Sequence, residues 1–334
     1  MNKIIQGKKR PILVVGVARS GTTWVANTLA QAPGTELLHE PDNEKQNILA
    51  HRWKRGYHRM PFMGASVNEP DYLAFWRRIL YGAYLPNRTV ANKLSLALAG
   101  LTGDRIERDT REKCNTVADG KSETSADLSE TVLATVLSQT SLSYQKLRTK
   151  RRIVKSVHTG LTLSFISRRL HPEILIVLRH PASIVSSCLN LRLPDANREV
   201  FRQEELVEAH LRPFLREIER VKDPVAQMAL QTAIFHYVWE QEAKENPHWK
   251  FITHESLCKN PSVTFQSLYQ ELELEWTAAA DQFLLDHNRP GNGFKISRES
   301  DTLIEKWKQT LTPQQIDSVR QGYRTLPVSL YSEF

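Results

Sequence analysis

The stretch Pro11-Ile-Leu-Val-Val-Gly-Val-Ala-Arg-Ser-Gly-Thr-Thr-Trp24 decides the fold of this 334-residue chain. Ile12 to Val15 is a short apolar, largely β-branched run, the pattern of a parallel strand buried on both faces. Gly16 to Gly21 spans a loop, and helical periodicity begins at Thr22, which predicts a helix to about Ala32. A loop that opens a helix in this way gathers backbone N–H groups and the positive end of the helix dipole at one spot. That spot is an anion site. The spacing Gly16-x4-Gly21 is almost that of a Walker A loop, but Thr22 stands where a nucleotidase carries Lys. The cation comes earlier, from Arg19, and Ser20, Thr22 and Thr23 add hydroxyls. The loop is expected to cradle a phosphate without building the usual magnesium–triphosphate site. The plainer alternative is a tight strand–helix turn whose glycines serve packing.

A second strand–turn–helix lies far downstream, in Glu173-Ile-Leu-Ile-Val-Leu-Arg-His-Pro-Ala-Ser-Ile-Val-Ser-Ser-Cys188. Pro181 suits the first turn of a helix, where a missing N–H costs little. Together the two segments resemble the cofactor loops of sulfotransferases that use 3′-phosphoadenosine 5′-phosphosulfate (PAPS). The resemblance runs from about Pro11 to Val319. It implies that Arg19 is the cation on the 5′-phosphosulfate, with Ser20, Gly21, Thr22, Thr23 and Trp24 around the same group. It also implies that Arg179 and Ser187 hold the 3′-phosphate. Arg suits that task, because its fork makes two bonds to one phosphate. The plainer reading of Arg179 is a surface ion pair.

Sulfuryl transfer, like phosphoryl transfer, is an in-line displacement that needs cations and N–H donors at the leaving oxygens and a base for the acceptor proton. Two residues compete for the base. Glu40, in His39-Glu40-Pro41, resembles the Glu-Pro of bacterial and carbohydrate-type relatives. His158, in Lys155-Ser156-Val157-His158, resembles the Lys-Thr-His of cytosolic relatives, with one extra residue between Lys and His. Lys155 is then a support for the bridging oxygen or the acceptor. Either base candidate has an ordinary alternative, a loop-fixing carboxylate for Glu40 and a structural imidazole for His158. His254-Glu-Ser-Leu257 stands where relatives carry Tyr-Glu-Asp-Leu. His254 is therefore expected either to stack on adenine or to pack at a strand end. Gly291 to Arg298 and Glu305 to Lys308 resemble the loop and Trp helix that close over the nucleotide, with Arg298 or Lys306 reaching toward the 3′-phosphate. PAPS is the expected co-substrate, and no metal is expected. The acceptor is expected to be a small molecule or glycan. The aromatic and basic stretch from Trp53 to Phe62 and the helix from Tyr72 to Tyr84 are its expected lining, or else ordinary core.

The composition fits an enzyme of this kind. The hydrophobic fraction of 40% and charged fraction of 25% are those of an ordinary globular protein. A net charge of +8 invites a nucleic-acid reading, but the basic residues are dispersed and accompany no nucleic-acid motif. Cys114, Cys188 and Cys258 are widely spaced, with neither a metal-ligand nor a disulfide pattern. No apolar run approaches the roughly 18 residues of a membrane span, and the short apolar stretch before Lys8 is not expected to be a signal peptide. These features predict a cytoplasmic protein. A homodimer stays open.

Further strands are expected at Leu37 to Pro41, Ile153 to Ser156, Ile174 to Leu178 and Trp249 to Thr253. Helices are expected at Asp71 to Tyr84, Leu161 to Leu170, Arg202 to Val221, Pro224 to Glu245, Pro261 to Leu272, Leu303 to Leu311 and Thr312 to Gly322. Gly103 to Ser129 is polar and reads as an inserted or mobile loop. Strands alternating with helices predict an α/β fold, a three-layer αβα arrangement on a mostly parallel, P-loop-like sheet, in one domain over residues 1–334. Two other functions are compatible with a phosphate loop. One is a P-loop kinase or NTPase, against which stand Thr22 and the absence of a Walker B acid. The other is a nucleotide-binding module without catalysis.

Overall fold

Ile12–Val15 forms β1, and all four of its side chains are buried. Its alternate residues point to opposite faces, as strand geometry requires. Leu13 and Val15 join one hydrophobic core, and Ile12 and Val14 join a second. A strand buried on both faces needs helices on both sides, which makes three layers. The structure is a computed structural model that describes residues 9–54, 56–82, 84, 93–94, 97, 150–193, 199–287 and 304–334.

The other strands are β2 (Thr35–His39), β3 (Arg151–Ser156), β4 (Glu173–Leu178) and β5 (Lys250–Thr253). The sheet order is β2-β3-β1-β4-β5, and every pairing is parallel. The expectation of a mostly parallel sheet is met by an all-parallel one. On one face lie α1 (Thr22–Leu29), which contributes Val25, Ala26 and Leu29, and the later helices bearing Phe265 and Leu284. On the other lie α2 (Ile48–Trp53), α3 (Pro70–Tyr81) and α4 (Leu163–Leu170), with Phe75, Trp76 and Phe165 in the core. After β4 come α5 (Pro181–Asn190) and the long α6 (Pro224–Ala243). The chain continues with α7 (His254–Lys259), α8 (Pro261–Glu271), α9 (Ala278–His287), α10 (Trp307–Thr310) and α11 (Pro313–Tyr323).

One expected element is corrected. The single helix expected over Arg202 to Val221 is a series of short pieces. A 3-10 turn at Val200–Arg202 and a short helix at Glu204–Leu206 lead into a π turn at Val207–Leu211. A 3-10 turn at Arg212–Phe214 and a helix at Leu215–Arg220 complete the segment. Pro213 is the physical reason, since it has no N–H to donate and its ring crowds the preceding turn. Helix α2 was not expected. Asn47 is its signal, for its side chain accepts from the Leu49 N–H at 3.0 Å and the Ala50 N–H at 3.4 Å.

The expected insertion at 103–129 and the residue Arg298 lie outside the described residues. Among the described residues no helix is long and apolar enough to cross a membrane.

Candidate functional site

All five strands run the same way, so their C-terminal ends share one edge of the sheet, where ligands of open α/β folds bind. The loop after β1 is shaped by its glycines. A Cβ on Gly16 would lie 2.7 Å from the Val177 carbonyl oxygen of the neighbouring strand. Gly21 has φ 96°, a left-handed conformation, and a Cβ there would lie 2.5 Å from His254 Cδ2. Gly16→Ala is expected to lower stability by about 1–3 kcal/mol, because the backbone must shift to admit one methyl group. Gly64→Ala is the comparison, since its added carbon meets only Phe62 Cζ at 3.9 Å. Equal melting temperatures for the two variants would refute the packing role of Gly16.

The loop also gathers hydrogen-bond donors. The N-cap of α1 is Gly21, which has no side chain to bond the first amides of the helix. Ser20 Oγ is buried without a hydrogen-bond partner. Arg19 adopts a left-handed backbone at φ 75°, which costs a non-glycine residue about 1–3 kcal/mol. Its Nε donates to Ser187 Oγ at 2.9 Å. Arg179, at the end of β4, donates to the Arg19 carbonyl at 2.8 Å, and its own Nε is buried without a partner. Burial pulls the Arg179 guanidinium below its ordinary range, and the Glu255 carboxylate opposes this. The two sequence segments expected to share a cofactor therefore meet at Arg19.

Thr23 Oγ1 lies 3.5 Å from His39 Nε2 at the end of β2. The next residue, Glu40, is 6% exposed and left-handed at φ 48°. Its carboxylate pairs with the buried Lys155 ammonium. Its Oε2 accepts from the Val157 N–H at 3.3 Å and lies 3.5 Å from His158 Nε2. Glu40, Lys155 and His158 thus form one cluster. Burial pushes the His158 imidazole well below its ordinary value, and Lys54, Arg59, Lys155 and Lys45 push the same way. His158 is therefore neutral at physiological pH, and its Nδ1 is buried without a partner.

Asp42 and Ser156 extend this cluster and were not singled out from the sequence. Asp42 is fully buried, and burial raises its carboxyl to about 6, with Lys54 opposing and Glu40 adding to the rise. Unfolded, the group titrates near 3.8. Between these values the folded state binds the proton more tightly, so stability falls as pH rises from about 4 to 6 and the loss persists above. The loss attributable to this group is on the order of 3 kcal/mol. Asp42→Asn is expected to flatten that part of a chemical-denaturation profile. An unchanged slope would contradict the burial cost.

His254 is 5% exposed and lies under the loop against Gly21. Trp24 meets it edge-on at 6.0 Å, and Cys258 Sγ lies 3.4 Å from its Nδ1. The imidazole is thus packed at the end of β5 under the phosphate loop. Trp307 of α10 stacks on His180, next to Arg179, at 4.8 Å and 11°. Thr310 Oγ1 lies 2.6 Å from Ser186 Oγ. The Trp helix therefore covers the start of α5, and Lys306 is exposed at its N-terminus. Among the described residues no group of three or more His, Cys, Asp or Glu side chains is arranged to hold a metal ion.

The family model described as "Sulfotransferase family" matches residues 11–278. No curated protein matches. The fold resembles the sulfotransferase domain from the curacin biosynthetic pathway at 12% identity and a TM-score of 0.49, covering 94% of this chain and 97% of that one. It also resembles the sulfotransferase domain of the Synechococcus PCC 7002 olefin synthase, at 15% identity and TM-score 0.45, covering 95% and 96%. A third likeness is sulfotransferase STF9 from Mycobacterium avium, at 15% identity and TM-score 0.40, covering 96% and 78%. All three TM-scores lie below 0.5, so the weight rests on the family match.

Proposed function

The chain belongs to the sulfotransferase family, and from that premise we propose that it moves the sulfuryl group of PAPS to a hydroxyl or amine of a small-molecule or glycan acceptor. We read residues 1–334 as one catalytic unit acting in the cytoplasm. The observation that carries this reading is the meeting of Arg179 and Ser187 on Arg19. It brings the donors for two separate anionic groups to one loop. Ser20 Oγ and Arg179 Nε are buried donors without partners there, which suits an anionic ligand.

The donor supplies an activated sulfuryl group and an anionic leaving phosphate. Arg19, Ser20, Thr22, Thr23 and the first amides of α1 would hold the phosphosulfate and stabilise charge on the leaving oxygen. Arg179 and Ser187 would hold the 3′-phosphate. Glu40 would take the acceptor proton, with Lys155 and the Val157 N–H fixing its carboxylate. His158 is less suited to that task, because its burial, and then the cations around it, disfavour a second proton. It would instead stand beside Glu40 as a neutral neighbour.

Thermal unfolding with 3′-phosphoadenosine 5′-phosphate, the desulfated product, tests this reading. A ligand that binds only the folded state raises the midpoint by mass action. The 3′-phosphorylated nucleotide is expected to stabilise the protein where ADP does not. Stabilisation by magnesium–ATP alone would replace the reading with a P-loop kinase.

A further inference from the structure

We propose that Asp42 is a positioning residue of the transfer site, acting through Ser156 to set the Val157–His158 turn against Glu40. The proposal rests on the sulfuryl-transfer reading and adds two residues to it.

The link is one hydroxyl. Ser156 Oγ lies 2.8 and 2.7 Å from the two Asp42 carboxylate oxygens and donates its proton to that group. The same oxygen accepts from the His158 backbone N–H at 3.0 Å. The preceding N–H, of Val157, donates to Glu40 Oε2 at 3.3 Å. Of two consecutive amides, one thus bonds the Glu40 carboxylate and the next bonds the Ser156 hydroxyl that Asp42 holds, and the turn cannot rotate without giving up both bonds. Rotation would also carry His158 Nε2 away from Glu40 Oε2, now 3.5 Å off.

Asp42 is itself held from several sides. Lys54 Nζ donates to the Asp42 carbonyl at 3.1 Å and to the Arg59 carbonyl at 2.8 Å. The Tyr84 hydroxyl donates to the Pro41 carbonyl between Glu40 and Asp42. A wholly buried carboxylate is costly, and an apolar side chain of similar size would serve packing as well or better. Besides the charge of Lys54 and a bond to its own backbone, what distinguishes Asp42 from such a side chain is the pair of contacts through Ser156 to the turn.

The test uses the full chain labelled with 15N-histidine, the His158 signal being identified by its loss in His158→Gln. In the wild type the His158 ring is expected to stay neutral through pH 6–8. In Ser156→Ala it should begin to titrate between pH 5 and 7, as the turn loosens and water enters. Release of 3′-phosphoadenosine 5′-phosphate from PAPS, with water as acceptor, should fall at least tenfold in kcat with KM for the donor unchanged. Ser156→Thr keeps the hydroxyl and should restore both signals. A Ser156→Ala protein with wild-type turnover and an unmoved His158 resonance would overturn the proposal. Should that variant fail to fold, Asp42→Leu, which removes the acceptor of the Ser156 proton at similar size, makes the same comparison, and no change in either signal overturns the proposal equally. If the wild type itself neither binds nor releases the nucleotide, the sulfotransferase reading fails, whereas the His158 resonance still tests the positioning role.

Discussion

Glu40→Gln is expected to lower sulfuryl transfer by about 100- to 10,000-fold, the usual contribution of a positioned general base. The amide keeps the shape of the carboxylate, and its single oxygen can still accept from Lys155, at the cost of the Val157 N–H bond to the second oxygen, so most of the cluster is retained while the proton acceptor is lost. Stabilisation by 3′-phosphoadenosine 5′-phosphate should be unchanged, because the donor loop is not altered. Glu40→Ala is a poorer experiment. It leaves the Lys155 ammonium buried and unpaired, and breaking one side of a buried pair costs about 3–5 kcal/mol. His158→Gln is the matched comparison and should lose less than tenfold, since the imidazole is held neutral by its surroundings. A reversal of that order, with Glu40→Gln near wild type and His158→Gln inactive, would move the base to His158.

Arg179→Ala should abolish the preference for a 3′-phosphorylated nucleotide. A hydrogen bond to a charged group contributes about 1.5–3 kcal/mol, so losing a two-pronged contact to the 3′-phosphate should weaken binding at least 100-fold. The binding of ADP, which lacks that phosphate, should fall far less. The loss is not confined to one ligand contact, because Arg179 also donates to the Arg19 carbonyl. Arg179→Lys separates the two effects. A lysine supplies charge without the fork, so it should recover part of the affinity but little of the selectivity. Calorimetric titration of each variant with both nucleotides checks this. A variant that binds the two nucleotides with the wild-type ratio would remove Arg179 from the 3′-phosphate site.

Much of this fold can be read locally. Ile12–Val15 and the expected strands around Ile153 and Ile174 are strands in the structure because short apolar runs bounded by turn residues leave few alternatives. Pro181, Pro224, Pro261 and Pro313 each open a helix, where a missing N–H is harmless. Pro213 interrupts one, and the periodicity around it hid the break. The candidate site is legible only in its parts. Glu40 and His158 stood as rivals along the chain, whereas in space they are neighbours. Asp42 carried no local signal, because an acid after a proline reads as an ordinary turn residue.

The strand–loop–helix at Gly16 to Trp24, the matching segment at Arg179 and the alternation of strands and helices are all legible in the order of residues. These depend on backbone preferences and hydrophobic period within a window of a few residues. What those segments bring together emerges from the folded arrangement. The order β2-β3-β1-β4-β5 sets Glu40 beside Lys155 on one side of the phosphate loop and Arg179 beside Arg19 on the other. It also buries Asp42, His158 and His254, and so sets their protonation. Desolvation and contact arise between segments more than a hundred residues apart in the chain, and no local pattern carries them.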